Sequence, residues 1–167
     1  MKINIRNHRG FTLIEVIVSI IVVSIISLIA GMSFYQITRG YVFYRDNSEI
    51  AQQAQIAMTR LKKEISSIKS VNIATATSIK YKRSSDATGT PLRSISWAGG
   101  NNPLLLDSYT LISPVTVFSL VYYDSYNTTA TYTSKTMMIE INLQLEGAEN
   151  TPMDFVDRVN LYMETEG

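Results

Sequence analysis

The chain is 167 residues long with a net charge of +1, no cysteine and one histidine. That length suits one domain with a modest core, and the lack of cysteine excludes disulfides and thiolate metal sites. The balanced charge gives no bulk attraction to nucleic acid. The only imidazole is His8, so from residue 11 onward an enzyme would be expected to rely on carboxylates in place of histidine or cysteine. These acids are dispersed and no spacing singles out a pair, so an enzyme is not expected.

Lys2, Arg6 and Arg9 crowd the first ten residues with no acid among them. From Val16 to Thr38 there are 23 uncharged residues, dominated by Ile and Val. A helix of that length covers roughly 35 Å, enough for a hydrocarbon core of about 30 Å. Basic residues before the span, and mixed charge after it (Arg39, Arg45, Asp46, Glu49), place the N-terminus in the cytoplasm and export the rest. The span is too long for the apolar region of a secretory signal, and Ala30 to Gln36 offers a poor cut site. A plain signal anchor fits the hydropathy but leaves Glu15 unexplained. A charge at the centre of a membrane helix costs roughly 2.5–3.5 kcal/mol, and less near an interface, where a glutamate can snorkel toward water.

A short basic leader ending in Gly10, followed by Phe11-Thr12-Leu13-Ile14-Glu15-Val16, resembles the class III signal of type IV pilins and type II secretion pseudopilins. The resemblance implies that a prepilin peptidase cuts between Gly10 and Phe11 and methylates the new amine, giving an N-methylphenylalanine terminus. Glu15 then occupies the family's acidic position, fifth in the mature chain. Its carboxylate would pair with the amine of Phe11 on a neighbouring subunit, because a misplaced subunit leaves a charge unpaired in apolar surroundings. The other partners implied are the lipid bilayer, the inner-membrane assembly platform, and minor and major pilin subunits; no cofactor and no metal is implied. Ser19, Ser24, Ser27, Gly31 and Ser33 punctuate the span. They either allow close helix approach or bond back to their own helix. Many pilins carry a proline in this region; here Gly31 is the candidate point of helix flexibility.

The segments expected are a leader over 1–10, an assembly helix over 11–38, an amphipathic continuation over 39–70 and an exported β domain over 71–167. Ile50, Ala54, Ala57, Met58, Leu61, Ile65 and Ile68 recur at steps of three and four, one apolar helix face. Asp46 and Glu49 read as a capping pair, so a break near Asp46-Asn47-Ser48 is possible. Strand alternation follows in Ser78 to Arg83, Arg93 to Trp97 and Met138 to Glu146, with a mostly apolar strand from Val117 to Asp124. Gly99 to Asn102 reads as a hairpin turn toward Leu104 to Leu106, and residues 125–134 as a polar connection. Met153 to Met163 reads as a last strand, with helix periodicity as its competitor. The fold expected is α+β and pilin-like, a long N-terminal helix packed on an antiparallel sheet.

Beyond the signal, the end of the helix and the order of the later strands, including Arg158-Val159, resemble J-type minor pseudopilins and W-type minor pilins. The resemblance implies a structural subunit in the tip or priming complex of a pilus or pseudopilus. A rival reading is competence-type DNA capture through Lys80, Tyr81, Lys82 and Arg83, a mixture of basic and aromatic side chains suited to a phosphate backbone. A solvated strand face is the ordinary alternative.

Overall fold

The computed structural model describes residues 10–125 and 128–161. One α-helix, α1 (Leu13–Ser66), is followed among these residues by nine strands. They are β1 (Ile68–Ala74), β2 (Ser78–Arg83), β3 (Arg93–Trp97), β4 (Leu104–Leu106), β5 (Tyr109–Ile112), β6 (Val117–Ser125), β7 (Thr128–Ala130), β8 (Met138–Glu146) and β9 (Pro152–Asn160). All strand pairs are antiparallel, in a five-stranded sheet ordered β1-β2-β3-β4-β5 and a four-stranded sheet ordered β7-β6-β8-β9. The α+β class is therefore as expected, with two sheets in place of one. The chain divides into two compact units, one ending at Tyr44 and one running from Arg45.

In the second unit the expected stripe forms the helix side of the core. Ala54, Ala57, Met58, Leu61 and Ile65 are buried, while Gln52, Gln55, Thr59 and Lys63 are exposed. The five-stranded sheet contributes Ile79, Tyr81, Ile95 and Leu104, and the four-stranded sheet contributes Phe118, Leu120, Ile139, Ile141 and Leu143. The alternation read in Met138 to Glu146 is realised: Ile139, Ile141, Leu143 and Leu145 are buried and the residues between 140 and 146 that alternate with them are half-buried. Residues 75–77 join the sheets. The Leu120 N–H donates to the Ala76 carbonyl at 2.7 Å, and the Tyr122 hydroxyl donates to the Thr75 carbonyl at 2.8 Å.

Several boundaries differ from the expectation. The helix ends at Ser66, and Ile68 begins a strand. Ile68 continues the i, i+3 spacing from Ile65 and is equally buried, so apolar period alone does not mark the transition. Helix α1 also passes through Asp46-Asn47-Ser48 without a break. There the Asn47 Oδ1 accepts the Ala148 N–H at 2.8 Å, using its polar group on the β8–β9 turn. The last segment is strand β9, paired with β8 from Pro152 to Asn160; Tyr162 and Met163 lie outside the described residues. The turn over Gly99 and Gly100 uses positive φ at both, which glycine tolerates. Leu106 leads to β5 through Asp107 and Ser108, both at positive φ, a two-residue turn without glycine.

The β8–β9 turn holds Gly147 against the helix. A Cβ there would lie 2.6 Å from Asn47 Oδ1 and 3.0 Å from both Met153 Sδ and the Thr151 carbonyl. Gly147→Ala is expected to destabilise the chain by roughly 1–3 kcal/mol through overpacking, read by chemical denaturation. Stability equal to wild type would show that the turn gives way without cost.

Candidate processing and assembly site

The site is built from the start of α1. Gly10, Phe11 and Thr12 precede the helix, and Phe11 is 82% exposed. Thr12 is the N-cap: its carbonyl accepts the Val16 N–H at 3.3 Å, and its hydroxyl accepts the Glu15 N–H at 3.4 Å. Those bonds satisfy donors that a helix start leaves open. The Gly10–Phe11 peptide therefore stands in non-helical backbone just ahead of the cap, a conformation a protease can engage. Thr-x-x-Glu is itself the capping-box signature.

Glu15 lies in the first helical turn, where a negative charge complements the helix dipole. Its carboxylate has no partner among the described residues. After it, the apolar side chains point outward all round. Leu13, Ile14, every Ile, Leu and Val from 16 to 29, Met32, Phe34, Tyr35 and Ile37 are exposed in this single chain. The window of highest mean hydropathy, 2.9, is unburied. Such a helix is apolar enough to cross a membrane by length and composition.

The hydroxyls of the span are satisfied locally. Ser19, Ser24, Ser27, Ser33 and Thr38 each donate to the carbonyl four residues earlier, at 2.7–3.0 Å. Back-bonding, one of the two uses open to these serines, is present at each of them. Each hydroxyl is thus already paired within the helix, as an apolar medium would require. Gly31 sits in continuous helix, and a Cβ there would meet nothing within 4 Å.

The basic-aromatic candidates do not come together at the surface. Lys80 is exposed and Lys82 half-buried, but Tyr81 is fully buried on the opposite face of β2. The Tyr81 hydroxyl donates to Glu64 Oε2 at 3.0 Å; burial first, and the Glu64 charge second, push its pKa up. Arg83 is bound to Asp86 at 3.1 Å and lies 3.6 Å from Glu64. A ring in the core cannot stack on a base, so the pattern read as a nucleic-acid strand is a product of strand alternation.

That residue belongs to a polar cluster the sequence did not announce. Glu64 stands in the last turn of α1, where an acid opposes the helix dipole. Arg83, Arg93 and Tyr81 offset the mismatch, and Asp107 pairs with Arg93 while its Oδ1 accepts the Ser94 N–H at 2.8 Å. Five residues from the helix, two strands and a turn thereby fix the end of α1 to the five-stranded sheet.

On the outer face of the four-stranded sheet, Arg158 Nε donates to Glu140 Oε2 at 2.7 Å, and its guanidinium lies 5.1 Å from the Tyr123 ring centroid. The hydrogen bond from Arg158 holds the Glu140 carboxyl below its ordinary pKa, with smaller support from Asn142 and Tyr123. A depressed carboxylate contributes stability above the ordinary glutamate range and loses it as pH falls through the folded-state value. Glu140→Gln is expected to be less stable than wild type at neutral pH, with the gap closing in acid. Denaturation midpoints across pH check this, and a gap independent of pH would contradict it.

Residues 5–31 match the family model described as the prokaryotic N-terminal methylation motif. No curated protein and no solved structure matches the chain. The motif implies processing by prepilin peptidase and assembly with other pilin subunits, and a long apolar helix beside it fits a membrane-anchored protein. The chain carries the N-terminal methylation motif at the head of a 54-residue helix and antiparallel sheets, and so fits a type IV pilin-like protein.

Proposed function

We propose that the chain is a minor pilin or pseudopilin, a structural subunit without enzymatic activity of its own. Prepilin peptidase cuts between Gly10 and Phe11 and methylates the Phe11 amine. The mature helix stays in the inner membrane with its N-terminus toward the cytoplasm and the β domain exported. It then enters the tip or priming complex of a type IV pilus or type II secretion pseudopilus, in contact with other subunits and the assembly platform.

The observation that carries this reading is the placement of the motif. The Gly10–Phe11 peptide precedes the Thr12 cap, and Glu15 lies one turn inside an apolar helix with its carboxylate unpartnered among the described residues. Cleavage would create an amine on Phe11, four positions before that carboxylate. In one helix the two groups lie at the same end. A neighbour displaced along the axis would bring its amine to Glu15 and neutralise both charges.

In cells with the cognate peptidase, the mature protein should begin at Phe11 and carry one added methyl group by intact mass. Gly10→Val should remain full length. Glu15→Gln should be cut normally yet enter the assembled complex at least about tenfold less, since losing one partner leaves a charge unpaired in an apolar site. Wild-type incorporation of Glu15→Gln would refute the register role without touching the cleavage reading. A mature terminus elsewhere than Phe11 would refute both.

A further inference from the structure

Among the described residues, the charges without an ion pair on the outer faces of the two sheets are opposite in sign; on the four-stranded sheet Arg158 is taken up by Glu140. On the five-stranded sheet, Lys80 and Lys82 of β2 face outward beside Ile73 and Ser70 of β1 and Ser94 of β3. Lys80 pairs across the strands with Ile73 and Ser94, and Lys82 with Ser70. Neither lysine forms an ion pair among the described residues, and none of these neighbours is acidic. Ile73 is 45% exposed.

On the four-stranded sheet, Glu146 of β8 and Asp154 of β9 face outward at one end, with Gln144 opposite Asp154. Val117 of β6 lies opposite Gln144, and Val156 follows on β9. These valines are 44% and 61% exposed. Glu146 has no ion pair among the described residues, and Asp154 accepts only the Gln144 amide, at 2.7 Å.

We propose that these two patches bind each other between copies of this chain, head to tail. Two lysines beside an exposed isoleucine meet two carboxylates beside two exposed valines. Lys80 and Lys82 are two residues apart on one strand, about 6.7 Å. Glu146 and Asp154 are diagonal neighbours across an antiparallel pair, about 7–8 Å. Both patches face away from the shared core, so one domain presents both at once. Contact between different patches is heterologous and extends to a further copy where the rotation does not close. A patch of this size gives a weak contact, which matters once anchored helices raise the effective concentration into the millimolar range. The proposal rests on the assembly reading and extends it: the domain is built to follow a like subunit as well as to stand at an end.

The test uses the full chain in detergent, where contact between domains is read apart from helix assembly in a membrane. Because the protein has no cysteine, Ser70→Cys and Val156→Cys can be made in separate chains, mixed and oxidised. Mixed disulfide dimers should exceed both homodimers at low salt and fall at least about fivefold near 1 M salt, where the screening length is about 3 Å. Lys80→Glu/Lys82→Glu introduced in the Ser70→Cys chain should abolish them. Adding Glu146→Lys/Asp154→Lys to the Val156→Cys chain should restore them, which shows that the reversed chains are folded. Homodimers in excess, no cross-link, or a cross-link indifferent to charge reversal would overturn the proposal. So would a chain without mixed dimers that holds a DNA duplex through Lys80 and Lys82. Normal processing and Glu15-dependent incorporation in cells, alongside no cross-link, would refute this contact alone.

Discussion

One uninterrupted helix serves two surroundings. Over Val16–Thr38 its side chains are apolar on every side and exposed in the single chain; from Ala54 to Ile65 only one stripe is apolar, and that stripe is buried. Taking the eleven Ile, Leu and Val side chains between Val16 and Ile29 out of water is favourable by on the order of 20 kcal/mol. Lipid, or the helices of like subunits, would recover it, and the local pairing of each span hydroxyl with its own helix suits either. The same pairing leaves the carboxylate of Glu15 as the polar group of the helix start still in need of a partner.

The second half of the helix solves a different problem. A stripe of Ala54, Ala57, Met58, Leu61 and Ile65 is narrow, and two of its members are alanine, which leaves room for the sheet side chains that share its core. The polar ends are tied separately. Asn47 holds the β8–β9 turn near where the unit begins, and Glu64 holds Tyr81, Arg83 and Arg93 where the helix stops. An acid in the last turn is locally unfavourable and is tolerated because cations from two strands converge on it. The tertiary contact decides what the local preference would refuse.

Much of this was legible in the sequence. Strict alternation placed β2, β3 and β8 on their observed residues, and the three- and four-residue spacing selected the buried helix stripe. What escaped had weak or misleading local signals. Ile68 continues the helical spacing, so β1 was hidden behind the helix end. β5 follows a turn of Asp107-Ser108 in place of a glycine pair, and Asp107 holds its positive φ with a bond to the Ser94 N–H. Asp46 and Glu49 read as a capping pair and so as a break at Asn47, whose partner Ala148 is far along the sequence. Tyr81 read as a surface ring because its charged neighbours are consecutive in sequence but, in a strand, face the other way. At the processing site the motif residues were all readable, while the Thr12 cap that keeps the Gly10–Phe11 peptide out of the helix needed the structure.

The proposed function requires α1 to begin in lipid and to carry the β domain out of the cytoplasm. Single cysteines at Ser24 and at Ser70 in this cysteine-free chain, exposed in intact cells to a membrane-impermeant maleimide with access to the periplasm, test it most directly. The account predicts labelling at position 70 and protection at position 24 until the membrane is dissolved. Equal labelling of both, or labelling of neither before the cells are broken, would contradict it.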